Sequence, residues 1–134
     1  MQIKKSFLLA LLALCTILIC NAQTSFNCSH ITMSTWNKAS KTFDNGETYA
    51  VNSRWTINKS ETMITFTVLP NIESFTYSVN SKAVENDLIV YDITDSNGLK
   101  YLLAFDINNS EIRLVQWEVG GNISLVAFTV KSIF

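Results

Sequence analysis

Short segments of alternating apolar and polar residues, each closed by turn-forming residues, fill the chain from Tyr49 to its C-terminus. Asn58-Lys59-Ser60-Glu61, Asp95-Ser96-Asn97-Gly98, Asn108-Asn109-Ser110-Glu111 and Gly120-Gly121-Asn122 each separate two runs rich in Val, Ile, Thr, Phe, Tyr and Trp. Turn residues recurring at about 8–12-residue intervals between such runs are the pattern of an antiparallel meander. Because successive side chains of a strand point to opposite faces, each run can be split into an inner and an outer set. Residues 49–58 put Tyr49, Val51, Ser53, Trp55 and Ile57 on one face, and Ala50, Asn52, Arg54 and Thr56 on the other. Ile64, Phe66 and Val68 share a face in the next run, as do Phe75, Tyr77 and Val79 in the one after Pro70. Residues 99–107 are the clearest case, with Leu99, Tyr101, Leu103, Phe105 and Ile107 together. In residues 112–119 the face assigned to the interior carries Arg113, Val115, Trp117 and Val119; in residues 123–134 it carries Val126, Phe128 and Val130. Residues 88–94 are apolar on both faces as far as Asp92, which suits a strand that is central or covered on its outer side.

Upstream, residues 31–36 alternate as a first strand, and residues 37–46 read as a loop or a short edge strand around Phe43, with Asn45-Gly46 as a turn. No segment holds a helical period over three turns. The count is seven to eight strands joined by hairpins. An open sheet of that size leaves long unpaired edges, so the expected fold is all-β, an up-and-down meander closed as a small barrel, with a β-sandwich as the alternative. A barrel of about eight strands has an interior that side chains fill or that holds one small ligand.

The N-terminus has the plan of an export signal: Lys4 and Lys5, an apolar stretch from Phe7 to Ile19, then Ala22 as the small residue before cleavage. Residues 1–22 are therefore read as a signal peptide and residues 23–134 as one all-β domain, periplasmic or secreted. The apolar stretch is short for a membrane span, which needs about 20 residues. Loss of Lys4 and Lys5 takes the net charge from −1 to −3 and leaves the basic residues scattered singly, which disfavours a nucleic-acid partner or an anionic membrane surface. Of the three cysteines, Cys15 and Cys20 leave with the signal. Cys28 remains alone, so a disulfide-free core is expected.

Catalytic patterns are sparse. His30 is the only histidine, and no Gly-x-Ser-x-Gly elbow or phosphate-cradling glycine loop is present. Cys28-Ser29-His30 offers two metal ligands where a site needs three or four. Asp92, Asp106 and Glu118 lie on strands but opposite the main apolar set, as solvent-facing acids that discourage edge pairing. Asn27, Asn58, Asn108 and Asn122 each open an Asn-x-Ser triplet, the last three in expected turns. No enzyme, metal or cofactor is expected.

The aromatic residues carry the functional expectation. Trp55, Tyr77, Tyr91, Tyr101, Phe105 and Trp117 are read as walls of a binding interior, with Arg113 at a strand end positioned to stack on a ring or meet an acidic headgroup. Ser34-Thr35-Trp36-Asn37-Lys38-Ala39 resembles the first-strand motif of lipocalins, Gly-x-Trp-x-x-Ala, with Ser34 in the glycine place. In that family the tryptophan closes one end of an eight-stranded barrel beneath an arginine from a late strand. The resemblance implies those parts for Trp36 and Arg113, and a calyx that binds small apolar molecules. Asn21-Ala22-Gln23 is also similar to the signal ends of small secreted proteins of the Bacteroidetes. The expected function is an exported, non-enzymatic protein that holds a small apolar or amphipathic ligand in a β-barrel. The alternative is a secreted or envelope protein-interaction module with a filled core.

Overall fold

The computed structural model describes residues 23–70, 73–117 and 121–134; the leader read at residues 1–22 lies outside them. Ten strands follow in order: β1 (Thr24–Asn37), β2 (Thr42–Phe43), β3 (Glu47–Tyr49), β4 (Ser53–Ile57), β5 (Met63–Val68), β6 (Glu73–Glu85), β7 (Leu88–Thr94), β8 (Lys100–Asp106), β9 (Glu111–Trp117) and β10 (Ile123–Ile133). All pairings are antiparallel and run between sequence neighbours from β4 to β10. β1 then pairs with β4 on one side and β10 on the other, closing eight strands into a barrel as the meander pattern predicts. β2 and β3 are additional, and both fold back onto the upper half of β1.

β1 is the closing stave. Its first half, through Cys28, pairs with Ser53 to Ile57 of β4, and its second half pairs with β3 from Ile31 to Met33. Between them the register against β10 shifts at Cys28 and His30, a bulge that bends the strand from one partner to the next. The run expected as one strand over residues 49–58 is thus two, broken where β3 leaves the upper half of β1 and β4 joins the lower. Asn45-Gly46 makes the turn into β3, and a Cβ on Gly46 would lie 2.0 Å from the Met33 carbonyl oxygen.

Local side chains fix the remaining turns. Asn58 Oδ1 accepts the Thr62 and Met63 N–H groups, and Asp95 Oδ1 accepts those of Asn97 and Leu99. Asn86 and Asp87, both at positive φ, form a two-residue hairpin turn between β6 and β7 that the sequence pattern did not expose. β6 runs past the expected residues 74–79. Its first half pairs with β5, and after an irregularity at Asn80 its second half pairs with β7.

The lumen is packed with side chains. Phe26, Trp55, Ile57, Ile64, Tyr77, Tyr91, Ile93, Leu103, Phe105, Ile112 and Phe128 form its buried core. Rings from strands that are not neighbours meet across it: Trp55 reaches Tyr77 at 5.8 Å and Phe128 at 5.3 Å, Phe66 reaches Phe128 at 5.2 Å, and Phe26 reaches Phe105 at 4.8 Å. These separations are those of directly packed aromatic pairs.

One face assignment is corrected. On β9, Ile112 and Leu114 point inward, whereas Arg113, Val115 and Trp117 point outward. The cause is hairpin register: Phe105 pairs directly with Ile112, and opposed residues share a face. With Phe105 in the core, Ile112 must follow it.

Candidate functional site

The barrel has two rims. At the lower rim β1 begins, β10 ends, and the turns after β4, β6 and β8 cluster; the hairpins after β1, β5 and β7 lie at the upper rim. A depression of about 440 Å³ opens at the lower rim. Its floor is apolar, made by Phe26 of β1, Ile57 of β4 and Tyr91 of β7, all buried. These residues sit at the lower end of the packed lumen, and Ile89, packed against the same core, continues the floor beyond Tyr91. Ile107 and Ile133, each about half exposed, stand at its edge.

The charged part of the rim is organised around Glu61. Its Oε1 accepts hydrogen bonds from Lys82 Nζ at 2.7 Å and the Tyr91 hydroxyl at 2.7 Å, and the Lys82 ammonium also lies 5.8 Å from the Tyr91 ring centroid. Glu61 sits at positive φ in the turn after β4, so this contact ties that turn to the β6–β7 hairpin. Lys82 first, then Tyr91, hold the Glu61 carboxyl below its ordinary pKa; burial first, then the Glu61 hydrogen bond, push the Tyr91 phenol up. At neutral pH the mouth therefore presents an ionised carboxylate, a protonated phenol and the two ammonium groups of Lys59 and Lys82 above a hydrophobic floor. That is the arrangement an amphipathic molecule meets favourably.

The residues named from sequence are dispersed over the barrel. Trp55 is fully buried at its centre, its ring tilted 33° to that of Phe66 at 4.6 Å, and its indole N–H has no partner in the described structure. Phe105 is buried between Phe26 and Tyr91. Tyr91 alone reaches the lower mouth, while Tyr77 and Tyr101 lie together at the upper rim, their rings edge to face at 5.6 Å. Trp117 is 54% exposed on the outer wall. Arg113 is also outside, where its guanidinium meets Glu111 Oε1 at 3.0 Å and Asp106 Oδ2 at 3.3 Å. Trp36 packs edge-on against Phe43 across the β1–β2 pair, with ring centroids 5.1 Å apart.

The polar candidates are equally separate. Asp92 accepts a hydrogen bond from Asn80, Asp106 is bound to Asn109 and Arg113, and Glu118 lies outside the described residues. His30 Nδ1 bonds the Ser29 hydroxyl at 2.8 Å, and burial pushes the Cys28 thiol up to about 11. Among the described residues, no group of three or more His, Cys, Asp or Glu side chains is placed to hold a metal, and no helix is long and apolar enough to cross a membrane. The mouth residues missed in the sequence are Phe26, Lys82 and Glu61. Phe26 lies ahead of the first strand recognised, and the other two lie in a hairpin and a turn that only the fold brings together. No protein-family model, curated protein or solved structure matches the chain.

Proposed function

We propose that this protein is an exported, non-enzymatic binding protein that seats a small amphipathic ligand in the lower mouth of the barrel. Residues 1–22 would serve as its cleaved leader. The observation that carries the proposal is the apolar floor of Phe26, Ile57 and Tyr91 beneath the Lys59, Lys82 and Glu61 rim in a depression of about 440 Å³. Small-ligand sites fall between roughly 300 and 1,000 Å³ and combine apolar walls with a few placed polar groups. The packed lumen supports a ligand resting on the barrel's end in preference to one enclosed at its centre.

A second observation favours the interaction-module alternative. Leu102, Val115 and Leu125 pair in one row across the outside of β8, β9 and β10, flanked by the Trp117–Ile123 pair on one side and by Ala104 and Ala127 on either side of the ion-paired Arg113 on the other. This outer wall is apolar where the outside of β4 and β5 is Arg54, Thr56, Thr65 and Thr67.

An amphipathic anilinonaphthalenesulfonate dye separates the two sites. Replacing Ile107 and Ile133 together by Ser should weaken dye binding about tenfold, the loss of roughly 1.4 kcal/mol of apolar contact. Trp117→Ser should leave it unchanged. Weakening by Trp117→Ser alone would overturn the mouth proposal in favour of the outer wall.

A further inference from the structure

The upper rim holds a depression of about 510 Å³ that differs in chemistry from the mouth below. It exists because β7 ends early. Thr94 pairs with Ser78, so the first half of β6 is bonded only to β5, and its other edge faces the β7–β8 turn across a gap. Phe75 and Tyr77 come to that gap from β6, Asp95, Ser96 and Asn97 from the turn, and Tyr101 from the start of β8.

Three features point to a ligand with both ring faces and hydroxyls. First, Phe75 is 45% exposed, and behind it Phe66 stacks at 6.3 Å with 24° between the rings. A backed ring with an open face is a flat platform that loses little freedom on contact. Second, Asp95 is a fixed acceptor. The Asn97 and Leu99 N–H groups bind its Oδ1 and the Tyr101 hydroxyl binds its Oδ2, each at 2.9 Å. Desolvation raises its pKa, but these hydrogen bonds outweigh it and leave the carboxyl below its ordinary value, so it is an anion with further lone pairs to offer.

Third, Tyr77 is only 8% exposed, yet its hydroxyl makes no hydrogen bond among the described residues. The oxygen itself is not among the fully buried unpaired atoms, so the hydroxyl at the end of a buried ring reaches the depression as an uncommitted donor and acceptor. Burial first, then the Asp95 charge, push its phenol up, which keeps it a donor. The Ser96 hydroxyl and the Asn97 carboxamide beside it are likewise without side-chain partners among the described residues.

We infer that the upper-rim depression binds a neutral pyranose sugar, its apolar ring face laid on Phe75 and its hydroxyls bonded to Tyr77, Asp95 and Asn97. Adjacent sugar hydroxyls each donate and accept, which matches a phenol donor, a carboxylate acceptor and a carboxamide that does both. Among the described residues no cationic side chain lines the depression, which disfavours an anionic ligand. A wholly apolar ligand would leave the Tyr77 hydroxyl unpaired and take water from the remaining lone pairs of Asp95. The site lies at the opposite rim from the amphiphile mouth and does not depend on it.

Backbone amide NMR shifts of the purified protein, titrated with methyl glycosides of glucose, galactose, mannose and N-acetylglucosamine, test this inference. At least one glycoside should move the amides of Phe75, Tyr77, Ser96 and Asn97 with a millimolar Kd, an affinity of about 4 kcal/mol. Phe75→Ser should weaken that binding about tenfold. Asn97→Ala, in an exposed turn that tolerates it, should weaken it about threefold. No shift at these amides with any of the four at ~50 mM, or shifts undiminished in both variants, would overturn the inference. So would cyclohexanol binding as tightly as the best glycoside, because that would mark a merely apolar pocket.

Discussion

Phe105→Ala tests whether the barrel is solid. Phe105 is almost fully buried, and its ring packs on Phe26 at 4.8 Å and edge-on to Tyr91 at 5.6 Å. Those partners come from β1 and β7, on different sides of the lumen. Removal of a buried phenyl ring costs about 3–5 kcal/mol, and the upper part of the range applies where surroundings cannot collapse into the void. A closed ring of eight hydrogen-bonded strands resists such collapse, and two aromatic pairs are lost with the ring, each contributing about 0.5–1.5 kcal/mol beyond area. The expected loss is therefore about 4–5 kcal/mol, a large share of the roughly 6–15 kcal/mol available to a domain of this size. Trp117→Ala removes a larger ring from the outer wall and should cost less than about 1 kcal/mol. Equilibrium urea unfolding of both variants, compared at equal m-values, gives the numbers. A loss under about 1.5 kcal/mol for Phe105→Ala would refute the packed lumen and return the ligand to the barrel's centre.

Ser53 is buried, and among the described residues its hydroxyl has no partner beyond a weak interaction with the Cys28 thiol, so Ser53→Ala should leave stability unchanged or raise it by about 1 kcal/mol; a loss above about 1 kcal/mol in thermal or urea unfolding would show that the hydroxyl has an ordered partner. All four tyrosines titrate high: Tyr49 through its hydrogen bond to Glu47, Tyr77 through burial and then Asp95, Tyr91 through burial and then Glu61, and Tyr101, pushed up to about 12, through burial and then Asp95. A phenol whose folded pKa exceeds its unfolded value of 10.0 adds stability that is complete below pH 10 and is lost as pH rises beyond it. Phenolate absorbance should therefore rise together with loss of the β-sheet circular dichroism signal above pH 10. Two or more phenols ionising near pH 10 in a folded barrel would contradict the assigned environments.

The turn chemistry made the architecture legible. Asn58 and Asp95 bond the backbone of the very turns their positions announced, and alternation in residues 99–107 put Tyr101, Leu103 and Phe105 inside, where they are. The lower mouth was not legible in the same way. Its acid lies in one turn and its lysine and phenol in a distant hairpin, and no periodicity joins Glu61 to Lys82 and Tyr91. The second half of β6 was hidden for a local reason: Asn80, Ser81 and Lys82 are polar, and the register irregularity there removes the two-residue rhythm. The Asn86-Asp87 turn lacks the glycine that usually marks a two-residue hairpin.

The misassigned face of β9 and the apolar outer wall have one physical cause. Alternation reveals an inner face only where the outer face is polar, as it is on β4 and β5 with Arg54, Thr56, Thr65 and Thr67. On β9 both sets mix apolar and polar residues, Ile112, Leu114 and Gln116 on one face and Arg113, Val115 and Trp117 on the other, so composition does not rank them. The hairpin can. A turn that joins Asp106 directly to Glu111 forces Phe105 opposite Ile112, and the unambiguous strand then fixes its ambiguous neighbour. The same step applied to β10 places Val126 and Phe128 inside and leaves Leu125 and Ala127 outside, next to Val115 and Arg113. A strand that is apolar on both faces in a closed barrel thus has its second apolar face on the surface. On β8, β9 and β10 those faces adjoin, which makes this wall the part of the exterior with the most to gain from a partner.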